Sequence, residues 1–165
     1  MSKKIDAKDL VAKIEKLARE RMASGDVVDL RSLRELKEKK KRRSILVVED
    51  DDTMRAALKR ILESDGFDVR SAADGTQLGD ALGDMSVDLI LLDVGLPWIN
   101  GIELAKLLKE HDSLREIPLV FISGKTSEFD IKRGFEAGAD DYIKKPFDID
   151  NVKKTVRTLL KLSHE

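Results

Sequence analysis

Four strand-like runs in this sequence each end in a group able to do chemistry. Ile45-Leu46-Val47-Val48 runs into Glu49-Asp50, and Val87-Asp88-Leu89-Ile90-Leu91-Leu92 runs into Asp93. Leu119-Val120-Phe121-Ile122 ends in Ser123, and Tyr142-Ile143-Lys144 ends in Lys145-Pro146. Continuous apolar runs of this kind read as buried parallel strands, and open parallel sheets bind ligands beyond the carboxyl ends of their strands. An acid pair, a lone acid, a hydroxyl and a lysine would therefore gather at one sheet edge. Ionised carboxylates in such a place are costly unless something pairs with them.

The elements that must position these groups alternate strand and helix through residues 45–165. The pattern predicts strands at 45–49, 67–71, 88–93, 117–122 and 140–144. Helices are predicted at 52–64, 75–83, 101–110, 127–137 and 148–162. Gly66 and Gly138 fall where helix C-caps are expected. Pro118 stands at a strand start, where a missing N–H is tolerated. Asp51 or Asp52 suits the N-cap of the first of these helices, and Asp148 that of the last. The last helix carries an apolar stripe of Ile149, Val152, Val156, Leu159 and Leu160. Such alternation predicts an α/β fold, a doubly wound five-stranded parallel sheet with right-handed crossovers.

Composition narrows the chemistry. The 165 residues contain no cysteine, which removes disulfides and thiolate catalysis. The two histidines, His111 and His164, lie far apart without ligand-like neighbours, so a zinc site is not expected. The sequence offers no apolar stretch long enough to span a bilayer and no signal core, and the expectation is a cytoplasmic protein. The net charge of −1 hides a division. Residues 1–44 hold 15 Lys/Arg and 8 Asp/Glu, and residues 45–165 hold 16 and 24, giving +7 and −8. That split predicts two parts, an extension and linker (1–44) and a domain (45–165).

The motifs together resemble the bacterial response-regulator receiver domain, the phospho-accepting half of two-component signalling, in its chemotaxis-regulator-like form. The resemblance covers residues 45–162. It is carried by Val47-Val48-Glu49-Asp50-Asp51, by Leu92-Asp93-Val94-Gly95-Leu96-Pro97 with Asn100-Gly101, by Phe121-Ile122-Ser123-Gly124, and by Lys145-Pro146-Phe147. Each is weak alone; four in order, each on its own strand end, form a specific signal.

The resemblance implies the flavodoxin-like strand order 2-1-3-4-5. It also implies that Asp93 accepts a phosphoryl group from a sensor histidine kinase or phosphotransfer protein. Mg2+ (or Mn2+) is the implied cofactor, since hard cations take oxygen ligands. By the family pattern Asp50 and Asp93 ligate it directly, the Gly95 carbonyl supplies a third ligand, and Glu49 acts through water. Lys145 adds positive charge against the phosphoryl oxygens, and a cis peptide before Pro146 aims it. Ser123 is implied as the hydroxyl that moves to the phosphoryl group, and Tyr142 as the switch aromatic that follows it. Gly95 and Lys125 occupy positions that tune phosphate lifetime in the family.

Ordinary alternatives stand beside these roles. Ser123 also reads as a strand-end hydroxyl, Lys145 as a surface lysine and Tyr142 as a half-buried strand residue. Trp98, unusual in its loop, reads equally as a partner contact and as a shield for the loop. Ser123-Gly124-Lys125-Thr126 mimics the end of a phosphate-binding P-loop, but the required upstream glycine is Leu119, and an apolar strand lies between.

Residues 1–44 have no strand signal. Ile5, Leu10, Val11, Ile14, Leu17, Ala18 and Met22 recur at helical spacing; Leu30, Leu33 and Leu36 do so again before the basic run Lys37 to Arg43. An N-terminal α-helical extension is expected, as a homodimerising or partner-binding helix pair before a nucleic-acid arm or a solvated leader. Nucleic acid is not an expected partner, and no output module is expected after residue 165. The chain therefore reads as a signalling protein rather than an enzyme, switching protein–protein contacts. A pseudo-receiver that is not phosphorylated is the alternative. A metal-dependent phosphohydrolase ranks last, because Gly95 stands where its second acid would be.

Overall fold

A computed structural model describes residues 7–23, 42–84 and 86–162. Five strands, β1 (Ser44–Val48), β2 (Asp68–Ala72), β3 (Leu89–Leu92), β4 (Leu119–Ser123) and β5 (Asp141–Lys144), form one parallel sheet in the order β2-β1-β3-β4-β5. The doubly wound order expected from the resemblance is therefore present. The helices are α1 (Ala7–Ala23), α2 (Asp52–Ser64), α3 (Gly75–Asp84), α4 (Gly101–Glu110), α5 (Glu128–Glu136) and α6 (Ile149–Leu162).

Strand alternation divides the core into two layers. Ile45, Val47, Leu89, Leu91, Val120 and Ile122 join Leu58 and Leu62 of α2 and Val152, Val156 and Leu160 of α6. Leu46, Val48, Ile90, Leu92 and Phe121 face the other way, toward Leu78 and Ala81 of α3 and Ile102, Leu104 and Leu108 of α4. Every described side chain of β1, β3 and β4 except Ser44 is buried, which explains their unbroken apolar character. In the last helix Ile149 departs from the predicted stripe and stands exposed at the first position.

Local signals behave as their chemistry requires. The Asp51 carboxylate accepts the Met54 N–H at 2.8 Å, capping α2, while Asp52 sits inside its first turn. Asp148 accepts the Asp150 N–H at 2.8 Å ahead of α6. Gly66 (φ 90°) and Gly138 (φ 105°) take the left-handed conformation that favours glycine after a helix. Strand ends differ from the predicted ones by one or two residues. Glu49 and Asp93 lie just past β1 and β3, where the chain turns into the loops, and Pro118 precedes β4.

The extension supplies a helix that packs onto the domain. Leu10 and Ile14 of α1 are buried in the core layer of α3 and α4, and Lys13 pairs with Asp80 of α3 at 3.4 Å. Two residues of the stripe that suggested pairing between copies, Leu10 and Ile14, are thus covered within one chain, while the side chains of Ile5, Leu17, Ala18 and Met22 lie outside the described residues. The second amphipathic stretch, Leu30 to Leu36, and most of the basic run lie outside the described residues. Among the described residues no helix is long and apolar enough to cross a membrane.

Candidate functional site

Parallel register brings the chemistry to one edge. Val48 pairs with Leu92, and Ser123 with Lys144, so the residues that follow emerge together. The ladder continues one step beyond the strands. Glu49 N–H donates to the Ala72 carbonyl at 3.1 Å, Asp93 N–H to Val48 at 3.0 Å, and Lys145 N–H to Ser123 at 2.8 Å. These bonds fix the backbone from which each functional side chain departs.

Glu49, Asp50 and Asp93 offer carboxylate oxygens that all lie within 4.8 Å of one another. Glu49 is 1% exposed and Asp93 7% exposed, while Asp50 faces solvent. The Lys145 ammonium reaches this group across the sheet, 3.2 Å from Glu49 Oε1 and 3.6 Å from Asp93 Oδ2. The Lys145–Pro146 peptide is cis. Burial, together with the charge and hydrogen bonding of Asp93, pushes Glu49 up to about 7, against the opposing pull of Lys145. A second positive charge is therefore what the acid cluster lacks. An all-oxygen donor set with a partly solvated member suits a hard divalent cation such as Mg2+.

The remaining predicted residues stand around the acids. Gly95 N–H donates to Asp93 Oδ1 at 3.1 Å, so the loop after Asp93 already orients its carboxylate. The Ser123 hydroxyl, 1% exposed, accepts the Lys125 N–H at 3.1 Å. Tyr142 donates its hydroxyl hydrogen to the Lys125 carbonyl, and its ring packs against Phe121 at 5.9 Å between centroids. Burial raises the Tyr142 hydroxyl above its usual range; hydrogen bonding to Ser123 works against this, and Asp130 and Asp93 add to it.

Three positions carry more than the sequence revealed. Trp98 is 5% exposed and its indole N–H donates to the Ala73 carbonyl at 3.1 Å. It ties the loop after β3 to the loop after β2, so the shielding role holds and the partner-contact role does not. Gly101 lies against the peptide of Asp93, where an added methyl group would overlap the Asp93 carbonyl oxygen. Arg55 donates through one guanidinium nitrogen to the carbonyls of Glu49 and Asp50, at 3.0 and 3.2 Å. Spacing to Asp52 was a weak signal for an ion pair; nothing in the sequence announced bonds to the loop backbone.

A parallel α/β sheet with three carboxylates and a lysine at its carboxyl edge defines a domain of the two-component signalling class. Residues 45–157 match the response regulator receiver domain, and the chain belongs to that family. It is 42% identical over 120 residues to the transcriptional regulatory protein CpxR of Escherichia coli, covering 73% of this chain and 50% of CpxR. The chain thus spans about half the length of the curated relatives it matches. A putative response regulator from Chloroflexus aurantiacus J-10-fl superposes with a TM-score of 0.69 at 32% identity, covering 73% of this chain and 98% of that one. The receiver domain of sensor histidine kinase PA1611 from Pseudomonas aeruginosa, solved with magnesium in its active-site cleft, gives 0.66 at 25% identity, with coverages of 73% and 98%.

Proposed function

We propose that Asp93 is the phospho-acceptor of this receiver domain and that its phosphorylation switches protein–protein contacts. The observation that carries this reading is the meeting of Glu49, Asp50 and Asp93 with the Lys145 ammonium at one sheet edge. A sensor histidine kinase or phosphotransfer protein supplies the group. An Asp93 carboxylate oxygen forms the new O–P bond, the P–N bond to the donor imidazole breaks, and its electron pair leaves with the ring nitrogen. Phosphoryl transfer depends mainly on positioning and charge stabilisation.

Asp50, Asp93 and the Gly95 carbonyl would hold Mg2+ or Mn2+, with Glu49 acting through water. When bound, the cation neutralises charge on the phosphoryl oxygens. Magnesium in the cleft of the PA1611 domain supports this assignment. Lys145 holds the position of the Asp93 carboxylate and faces the incoming group. Gly95 N–H orients the same carboxylate from the other side. Ser123 and Tyr142 lie on paired strands, with the Lys125 backbone bonded to both, so displacement of one is felt by the other. Phe129, Phe135 and Ile149 are exposed on α5 and at the start of α6, beside Tyr142's strand. This face is the proposed output surface.

Intact-mass measurement after incubation with a small acyl phosphate tests the reading. The expected result is a gain of one phosphoryl group that needs Mg2+ and is absent in Asp93→Asn. No gain at all would return the domain to the unphosphorylated interaction module.

A further inference from the structure

We infer that Arg55 is a positioning residue for the cation-binding acids, acting through the backbone of the β1–α2 loop. The inference rests on the Mg2+ site proposed above. Three successive carbonyls follow β1; the Arg55 side chain bonds the first two, and its backbone N–H makes the ordinary first-turn helical bond to the third. Its guanidinium donates to Glu49 at 3.0 Å and to Asp50 at 3.2 Å, and its own N–H donates to Asp51 at 2.9 Å. The other guanidinium nitrogen is anchored on Asp52, and four-fifths of the side chain is shielded from solvent.

The geometry explains why an arginine serves. Past Val48 the carbonyls of Glu49 and Asp50 have left the sheet ladder, and a carbonyl left without a partner in a partly buried loop is costly. A planar guanidinium spans two carbonyls and a carboxylate at once, in fixed directions; an ammonium is a point charge without that fork. With the peptide planes of Glu49 and Asp50 fixed, the departure directions of their carboxylates are fixed too. Mg2+ demands near-octahedral ligands at short distance, so small shifts of a ligand are felt in affinity. Groups that orient metal ligands commonly contribute 10- to 100-fold to binding. Arg55 works through carbonyls: both of its side-chain bonds to Glu49 and Asp50 end on backbone oxygens.

Calorimetric titration of the full chain with Mg2+ tests this, alongside melting in EDTA. Arg55→Met should weaken Mg2+ by about tenfold, and Arg55→Lys should recover part of the loss. Phosphorylation by an acyl phosphate should then need more Mg2+ yet reach the wild-type rate at saturation. A lowered melting temperature with Mg2+ affinity within about twofold of wild type would make Arg55 merely structural and overturn the inference. Should Arg55→Met fail to fold, Arg55→Lys decides: a dissociation constant raised about threefold or more supports it, and an unchanged one overturns it. A wild-type chain that takes no Mg2+ would instead remove the site reading beneath.

Discussion

The α-carbon of Gly101 rests against the peptide of Asp93, and no side chain fits between them. An added Cβ would overlap the Asp93 carbonyl oxygen and stand 2.6 Å from Val94 Cα. The Gly101 N–H meanwhile donates to the Val94 carbonyl at 3.0 Å, so the start of α4 is laced to the loop that carries Asp93.

Gly101→Ala should therefore destabilise the fold, although alanine is the better helix former. Backbone atoms cannot move aside as a flexible side chain can, and overpacking of this kind costs about 3 kcal/mol, roughly 6–12 °C in melting temperature at this size. Gly95→Ala is the control. Its nearest neighbour would be Asp93 Oδ1 at 3.9 Å, an ordinary contact, so its melting temperature should stay within about 2 °C of wild type. Equal losses in the two variants would contradict the packing argument.

The acid cluster predicts a pH dependence. The Glu49 carboxyl is raised from 4.5 to about 7 by burial and by Asp93. Below pH 4.5 it is protonated in both folded and unfolded chains. Between 4.5 and 7 the unfolded chain releases the proton while the folded chain keeps it, so stability falls as pH rises through that window. Metal binding needs the ionised form, so Mg2+ should compete with this proton. Thermal melts with Mg2+ and with EDTA should diverge progressively from pH 5.5 to 8, a window of about two units centred near the shifted value. Glu49→Gln should melt higher than wild type in EDTA at the alkaline end. A Mg2+ increment that does not change with pH would exclude Glu49 as the competing acid.

Tyr142 offers a separable test of the readout. Its hydroxyl bonds the Lys125 carbonyl, while its ring packs on Phe121 and over Gly134. Tyr142→Phe keeps the ring and removes one hydrogen bond, which should cost about 1 kcal/mol. Phosphate uptake on Asp93 should be unaffected. Hydrogen exchange in the Gly124–Ser127 loop should rise, because its tether is gone. Unchanged exchange there would show that the hydroxyl does not hold the loop.

How far the sequence could lead depended on the range of each interaction. Buried strands announce themselves as apolar runs, and a strand end carrying an acid is visible without knowing its neighbours. Asp93, Glu49 and Lys145 were legible for that reason, and the family resemblance placed them together. Gly101 was legible as part of a motif but not as a steric necessity, since its neighbour is a backbone atom. Arg55 was opaque and Trp98 undecided between shield and partner contact, because their partners are carbonyls, which every residue has. The stripe in α1 showed that one helix face must be covered. It could not show whether the cover was a second copy or this chain's own α3 and α4.

That last question has a direct experiment. Leu10 and Ile14 are 3% and 8% exposed, buried with Leu78, Ala81 and Leu108, and the Lys13 stem lies over Gly79. In a protein most helical stability comes from packing of the amphipathic face, so the 17-residue α1 should depend on this docking for its order. A carboxylate placed in a dry apolar contact is strongly unfavourable. Leu10→Asp with Ile14→Asp should therefore release α1 from the domain. The amides of α1 should lose protection against hydrogen exchange while those of β1, β3 and β4 keep theirs, because the strand ladders and the core layer under α2 and α6 are built without α1. The mass in solution should not change, since Leu10 and Ile14 are covered in cis. A wild-type dimer that becomes a monomer in the double variant would place the stripe between two copies instead, and intact protection across α1 would show that these two residues do not hold it.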